Sequence, residues 1–418
     1  MIPELRRAFN GNFSKRAYSE FLADLDRRCG GPIQFRVAET PIFVRKTLLD
    51  ELAGEGAALA KFLISDRNHR EAAQQAIPSG FEVANETAHP NFLTADFALI
   101  RTGSGELAPR LVEIQAFPSV FAYQVELSQA YLAAFDLPRT LGFFLGDLDE
   151  SSYWDLFRRT VVGKHDPKNV VLAEVDPLHQ KTYADFYVTS QRLGIPTVDI
   201  AQIEATGKKL NYRDETGRLI PIDRIYNRAI ADELIARNVR LLFGLGRPWD
   251  VEWAGHPNWY FLISKFSIPW LSRSKQFSVV PPAVFVDDFL AGSGRQFLVE
   301  SGVPLAGEGE GVYHDLLLKP LFSFAGKGIE FEPSRARLEQ IPPAERSSYL
   351  LQQRMRFEPT IETPFGLTQA EIRILYLWPD DGVLTPALSL VRLGRGKMMG
   401  VDHNKDLDWV GGSAAFYN

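Results

Sequence analysis

The chain has 418 residues, 45% of them hydrophobic and 23% charged, with 46 basic against 52 acidic side chains and a formal net charge of −6. These proportions are those of a globular protein and exclude a disordered chain, a collagen-like repeat and, with Cys29 as the single cysteine, a disulfide scaffold. The acidic balance speaks against a dedicated nucleic-acid binder, so an anionic ligand must meet a local basic site.

At roughly 150 residues per domain, the length suggests two or three domains. Met1–Arg7 lacks the apolar core of a signal peptide, and no run approaches the ~20 apolar residues that cross a bilayer. A cytoplasmic protein without a membrane partner is expected, and one cysteine suits a reducing compartment. The first part is mainly helical: Leu48, Leu49, Leu52, Leu59, Phe62 and Leu63 recur near helical spacing with charged residues between them. After Ala88–Asn91 the pattern changes. Asp96–Ile100 reads as a strand, Thr102–Gly105 as a turn and Leu111–Ile114 as a returning strand, followed by a helix over Tyr123–Phe135.

A second part opens at Lys164–Pro167. The apolar run Val170–Val175 suits a buried strand, Thr182–Leu193 a helix ended by Gly194, and Pro196–Ile200 the next strand. This strand–helix–strand unit implies a parallel sheet. Asn211–Ile222, turning at Asp214–Gly217, reads as an appended hairpin, and Ile222–Tyr226 as a further strand. The third part begins near His256–Asn258 with a helix over Phe261–Leu271, then a proline-marked entry at Val279–Pro282. A flexible stretch is expected at Gly307–Gly311, strands at Leu316–Leu318, Ile329–Phe331, Tyr349–Gln353, Glu371–Tyr376 and Leu388–Arg392, and last a polar tail. No internal repeat is visible.

Two stretches carry chemistry. In Leu316–Phe331 an apolar strand delivers Lys319, a loop of small residues from Ser323 to Gly328 turns the chain, and a second strand returns. Phosphate recognition uses such parts: backbone N–H groups that can approach an anion, and a lysine as a point charge. The stretch is neither a Walker A loop nor a GxGxxG turn; the bland alternative is a hairpin with solvated lysines. In the earlier hairpin, Glu113 and Gln115 share a strand face that Asp96 can join from the next strand. Two carboxylates and an amide oxygen suit Mg²⁺, which takes oxygen ligands together with substrate phosphates; the alternative is a solvated sheet face. The seven histidines show no i,i+4 pair, which excludes a zinc site of the HExxH kind.

In this chain order the two stretches resemble the ATP-grasp fold, in which two α+β lobes close on ATP. Lys265, in Ile263–Phe266, resembles the first ATP lysine, on a helix before the small lobe, and Lys319 the second. Ser323, Gly326, Lys327 and Gly328 belong to the segment that resembles the glycine-rich loop over the phosphates. Gln352, Gln353 and Met355 lie in Leu350–Met355, which resembles the hinge strand that holds adenine. The metal motif precedes the hinge by some two hundred residues, an order similar to the circularly permuted branch typified by glutathionylspermidine synthetase. That branch pairs an Asp-Phe strand with a Leu-x-Glu-x-Asn-x-x-Pro-Thr strand; Asp96-Phe97 and Leu111–Ser119 follow the pattern, and Ile222–Arg228 resembles the strand closing the preceding α/β domain.

The resemblance implies an α/β chain with ATP-grasp lobes at 256–418, a Rossmann-like α/β domain at 161–255, and a helical N-terminal region with the permuted hairpin at 1–160. It implies ATP and Mg²⁺, the metal held by Asp96, Glu113 and Gln115, with Arg373 and Arg392 steadying the transferred phosphoryl group. The reaction implied joins a small-molecule carboxylate to an amine or thiol through an acyl phosphate, releasing ADP, with no nucleic acid involved. The 323–328 loop is then expected to be a lid, and Asp402–Asp406 with Gly411–Ser413 a loop closing the acceptor side, the alternative being a frayed terminus. Gln115 stands where the family has Asn and Thr94 where it has Arg, and Cys29 has no histidine close in sequence, so no amidase is expected. The competing reading is a catalytically degenerate ATP-grasp protein that binds nucleotide as a regulator or scaffold. Substrates and oligomeric state are not legible.

Overall fold

The computed structural model describes residues 1–305, 311–322, 328–397, 399, 404 and 406–418. Of the flexible stretches expected at 307–311 and 323–328, residues 307–310 and 323–327, with Ser323, Gly326 and Lys327, lie outside the described residues. The chain is an α/β protein with four sheets among them.

The largest sheet has the order Ile42–Val44, Gly411–Tyr417, Thr385–Gly394, Gly366–Leu377, Phe92–Arg101, Leu107–Gln115, with Ile361–Thr363 pairing outside this path. All pairs are antiparallel except the first. Strand alternation gives the sheet two unlike faces. Ala95, Phe97, Ile372, Ile374 and Val391 pack into one apolar cluster with Leu49, Leu52, Leu59 and Leu63 of helix Lys46–Ser65. The approach is close at Gly56, where a Cβ would stand 2.2 Å from the Tyr376 hydroxyl oxygen. Burying each such large apolar side chain stabilises the fold by ~1.5–3 kcal/mol. The alternate residues of the same strands face the other way and form the site described below.

The C-terminal segment corrects one expectation. Gly411–Tyr417 is neither a polar tail nor a closing loop but a buried strand, antiparallel to Thr385–Gly394 and parallel to Ile42–Val44. Gly411 has φ +123° and lies against Arg36, whose carbonyl oxygen a Cβ would meet at 2.5 Å, so glycine alone fits there.

The parallel sheet is formed as expected, in the order Glu252–Ala254, Arg224–Asn227, Val170–Glu174, Thr197–Asp199. Helix Tyr183–Leu193 ends at Gly194 with φ +72°. The appended hairpin gains a third strand, Glu204–Thr206, and stands as a sheet of its own. The small antiparallel sheet has the order Ala283–Phe285, Tyr349–Gln353, Leu316–Pro320, Glu330–Phe331. One face packs on helices Val286–Leu290, Ser293–Glu300 and Arg335–Glu339 through Val284, Leu298, Leu316, Leu318, Leu338 and Leu351.

The single helix expected over 261–271 is two, Trp259–Leu262 and Ser267–Ser274, with Lys265 in the link rather than on a helix. A continuous helix would require Pro269 to donate a backbone hydrogen bond to Lys265, and proline has no N–H. In the link, the Ser264 hydroxyl accepts from the Phe266 N–H at 3.2 Å. No described helix is long and apolar enough to cross a membrane.

Candidate functional site

The cleft is set by register. In the hairpin, Phe97 pairs with Leu111, which in a regular ladder would place Val112 opposite Asp96. A bulge intervenes, and Glu113 stands there instead. The neighbouring strands bring Arg373 opposite Asp96 and Arg392 opposite Glu371. Four strands thus deliver Glu113, Asp96, Arg373, Glu371 and Arg392 to one face of the sheet. The small sheet covers them with Lys319, and the link between the two short helices adds Lys265. That link is tied to the hairpin, because Ala116 donates its N–H to the Ile263 carbonyl at 2.9 Å.

Inside, charges are paired at short range. Arg373 holds Asp96 with two hydrogen bonds, Nε to Oδ1 at 2.5 Å and Nη2 to Oδ2 at 2.6 Å. Arg392 Nη2 reaches Asp96 Oδ2 at 2.5 Å and Glu371 Oε1 at 2.9 Å. Lys265 Nζ lies 2.9 Å from Glu113 Oε1. Asp96, Glu371, Lys265 and Lys319 are each at most 5% exposed. Burial alone would push the Asp96 carboxyl up, but the two guanidiniums outweigh it and hold it below the usual range. Burial, opposed by Arg392 and helped by Asp96, lifts Glu371 above the usual range. Burial lowers the Lys319 ammonium to about 8, with Glu113 opposing the shift and Lys265 adding to it.

The resulting cleft has a volume of about 540 Å³. Its described lining carries seven basic side chains, Lys265, Lys319, Arg354, Arg356, Arg392, Arg395 and Lys397, against three acidic ones, Asp96, Glu113 and Glu371. In a chain with a net charge of −6, the cleft concentrates positive charge locally.

Of the residues singled out from sequence, Lys265, Lys319, Asp96, Glu113, Arg392 and Met355 line this cleft, and Arg373 sits against it through Asp96. Gln352 pairs in register with Leu317, a lining residue, and so lies on the cleft side of the small sheet, but it is fully buried and not among the lining residues itself; both of its amide atoms are buried without a partner. Gln353, one residue on, turns to the opposite face. Gly328, with φ +77°, packs on Pro320 beside Lys319. Gln115 stands opposite Thr94, two residues along from Asp96, and is not among the lining residues. Cys29 is buried at a helix end, its thiol pushed up by burial.

A nucleotide and its metal have partial seats here. The unpartnered Gln352 amide suits the polar edge of a base, and Lys319 suits a phosphate. Glu113 Oε1 lies 2.9 Å from the Lys265 ammonium, which would have to turn aside for a metal to reach that oxygen. Asp96 has both oxygens engaged by arginine, and among the described residues no three His, Cys, Asp or Glu side chains form a ready metal cluster.

Sequence reasoning missed the basic rim, although Arg354 and Arg356, then Arg395 and Lys397, are close pairs in the chain. It also passed over a cluster of buried charges at the end of the parallel sheet. There Val170–Glu174 and Arg224–Asn227 are neighbours whose continuations run to opposite sides, the switch point where open α/β sheets bind ligands. Glu174, Arg228 and Asp185 are buried at this place. Burial raises Glu174 to about 8. Arg228 donates to the Ser119 carbonyl, and Asp185 accepts from the Ala122 and Tyr123 N–H groups at 2.8 and 3.0 Å. Ser119 also takes a 3.3 Å hydrogen bond from Arg373 on its hydroxyl, so one turn touches both the buried charge cluster and the cleft.

No family model matches the sequence, and no curated protein does. Among solved structures, the chain is similar to a glutathione synthetase-like effector from Globodera pallida in its apo form, with a TM-score of 0.54 and 10% identity over 97% of this chain and 98% of that one. A putative gamma-glutamylcysteine synthetase from Methylobacillus flagellatus aligns with a TM-score of 0.36 and 12% identity, covering 87% of this chain and 88% of that one. The chain therefore shares its α/β fold with the glutathione synthetase-like effector almost from end to end.

Proposed function

We propose that the protein is an ADP-forming carboxylate–amine (or thiol) ligase of the permuted ATP-grasp type. The observation that carries this is the meeting, in one cation-rich cleft, of two lysines and a carboxylate pair that lie far apart in the chain. The name of the structural neighbour, a glutathione synthetase-like effector, points to the same class of reaction.

On this reading the cleft binds the triphosphate of ATP with Lys265, Lys319 and Arg392, and the Gln352 amide faces the adenine. Mg²⁺, if held by Glu113 and by Asp96 once an arginine turns away, would supply positive charge that neutralises the phosphates. The carboxylate substrate attacks the γ-phosphorus and ADP leaves. The amine then attacks the acyl carbon, phosphate leaves, and a proton goes from the amine to solvent or a nearby base. Arg373 and Arg392 sit where charge spreads over the transferred group, and no nucleophilic side chain is needed.

The test is ADP release from Mg-ATP with mixtures of amino acids, short peptides and amines, beside calorimetric titration of ATP alone. ADP formed only in the presence of a carboxylate and an amine or thiol supports the ligase. Binding without turnover under any mixture supports the second reading, a nucleotide-binding regulator, which the engaged Asp96 and the place of Gln115 outside the lining favour. Absence of binding removes both.

A further inference from the structure

The parallel sheet ends on the edge strand Thr197–Asp199. Leu172 donates its N–H to the Pro196 carbonyl at 2.9 Å, and Leu172, Ala173 and Glu174 stand opposite Thr197, Val198 and Asp199. In a parallel ladder every second residue bonds to the same neighbour, so Val198 directs both its main-chain groups to Val170–Glu174. The Thr197 N–H and carbonyl and the Asp199 N–H turn outward, and among the described residues no strand or backbone group pairs with them. The Asp199 carbonyl is engaged, because it opens the 3-10 turn Ile200–Gln202.

This edge strand lines a groove of about 850 Å³ that shares no lining residue with the cleft. Helix Tyr183–Leu193 contributes Tyr183 and Tyr187 to it, and the three-stranded sheet Glu204, Tyr212 and Arg213. Leu178 and Leu242, 67% and 58% exposed, lie in the same groove. Of its three carboxylates, Asp176 is paired with Arg237 and Glu204 with Arg213. Asp199 accepts the Ala201 N–H on Oδ1 at 3.0 Å, and among the described residues no cation pairs with it.

An open strand edge calls for donors and acceptors at strand spacing, which an extended peptide supplies. The free carboxylate calls for a basic side chain, and the two leucines for an apolar one. We propose that this groove takes an extended, lysine- or arginine-bearing segment of a partner protein, added as a strand beside Thr197–Asp199. A second copy pairing through the same edge would face this acid-rich groove with another, so a basic partner fits better. The edge is independent of what the cleft binds.

The test is fluorescence anisotropy with a dye-labelled, end-blocked heptapeptide of alternating valine and lysine, titrated with the intact chain. Of two copies N-methylated at the lysines or at the valines, one should bind at least about tenfold more weakly than the other, because only one edge of an added strand meets Thr197–Asp199. A valine–glutamate heptapeptide should bind about tenfold more weakly than the valine–lysine one. Asp199→Pro removes the outward N–H at a residue whose φ of −73° suits proline, and should weaken the peptide by about tenfold. Asp199→Asn removes only the charge; it should weaken the peptide yet keep the difference between the methylated copies, and it decides if the proline variant fails to fold. No binding of the valine–lysine peptide to the wild type, equal binding of the two methylated copies, or equal binding of the glutamate peptide overturns the proposal. A wild-type dimer in light scattering that Asp199→Pro dissolves assigns the edge to a second copy and overturns it as well.

Discussion

The four strands Thr385–Gly394, Gly366–Leu377, Phe92–Arg101 and Leu107–Gln115 present two faces that share a backbone and little else. On one, Ala95, Phe97, Ile372, Ile374 and Val391 close on a helix. On the other, Asp96, Glu371, Arg373 and Arg392 make a net of ion pairs, and Glu113 pairs with Lys265. The apolar face gains stability by burial and tolerates no charge. The polar face is buried nearly as deeply and gains little, because desolvation offsets much of what its pairs return. Deep burial of charge that is close to neutral for stability points to selection for binding. The alternation also makes the site brittle: a one-residue slip would put charges into the core, and the bulge at Val112 is the one local slip that instead recruits Glu113.

The sharpest way to break this comparison is Phe97→Ala. The ring is fully buried on the helix side, so its loss should cost about 3–5 kcal/mol and lower the thermal midpoint by roughly 5–10 °C. Tripolyphosphate affinity of the folded variant should stay within about twofold of wild type, as for uncoupled sites. A loss of affinity beyond tenfold would mean that the two faces are mechanically one.

Lys319→Met should behave in the opposite way. The ammonium titrates at about 8 against an ordinary value of 10.5, so between those values the unfolded chain binds more protons than the folded one. Stability should therefore rise with pH from about 8 to about 10.5, and below 8 the buried charge costs on the order of 3 kcal/mol. Methionine removes that cost and the slope with it. The variant should melt higher at pH 7, lose its pH dependence in this window, and bind tripolyphosphate roughly a hundredfold more weakly. A lower midpoint with unchanged affinity would make Lys319 a structural residue.

The same contrast explains what the sequence could reveal. The hairpin at Asp96, the parallel unit at Val170–Asp199 and the strand carrying Lys319 were readable because their apolar periodicity and turn residues are local properties. The Gly411–Tyr417 strand was not, since Gly-Gly-Ser-Ala-Ala carries no strand pattern of its own and becomes a strand only through partners on both sides. The break at Lys265 was legible in principle from Pro269. For the site, residue types and order pointed to Lys265, Lys319, Asp96 and Glu113. What they could not give was pairing: that Arg373 and Arg392 close on Asp96, or that Glu371 joins them, follows from a register between strands some 270 residues apart in sequence.

The smallest expected effect bears on the residue where sequence and geometry diverge most. Spacing two residues from Glu113 puts Gln115 on the face expected of a third metal ligand. In the sheet it stands opposite Thr94, past Asp96 and outside the residues that line the cleft. Gln115→Ala should therefore change Mn²⁺ affinity in the presence of tripolyphosphate by less than about twofold, within the ~0.5 kcal/mol typical of substitutions away from a site. Glu113→Gln in the same assay should cost far more, because it removes a charge that faces the cleft. If Gln115→Ala instead weakens Mn²⁺ more than tenfold, the amide must swing inward when metal binds, and the metal site would be the one the motif describes rather than the pair that the bulge assembles.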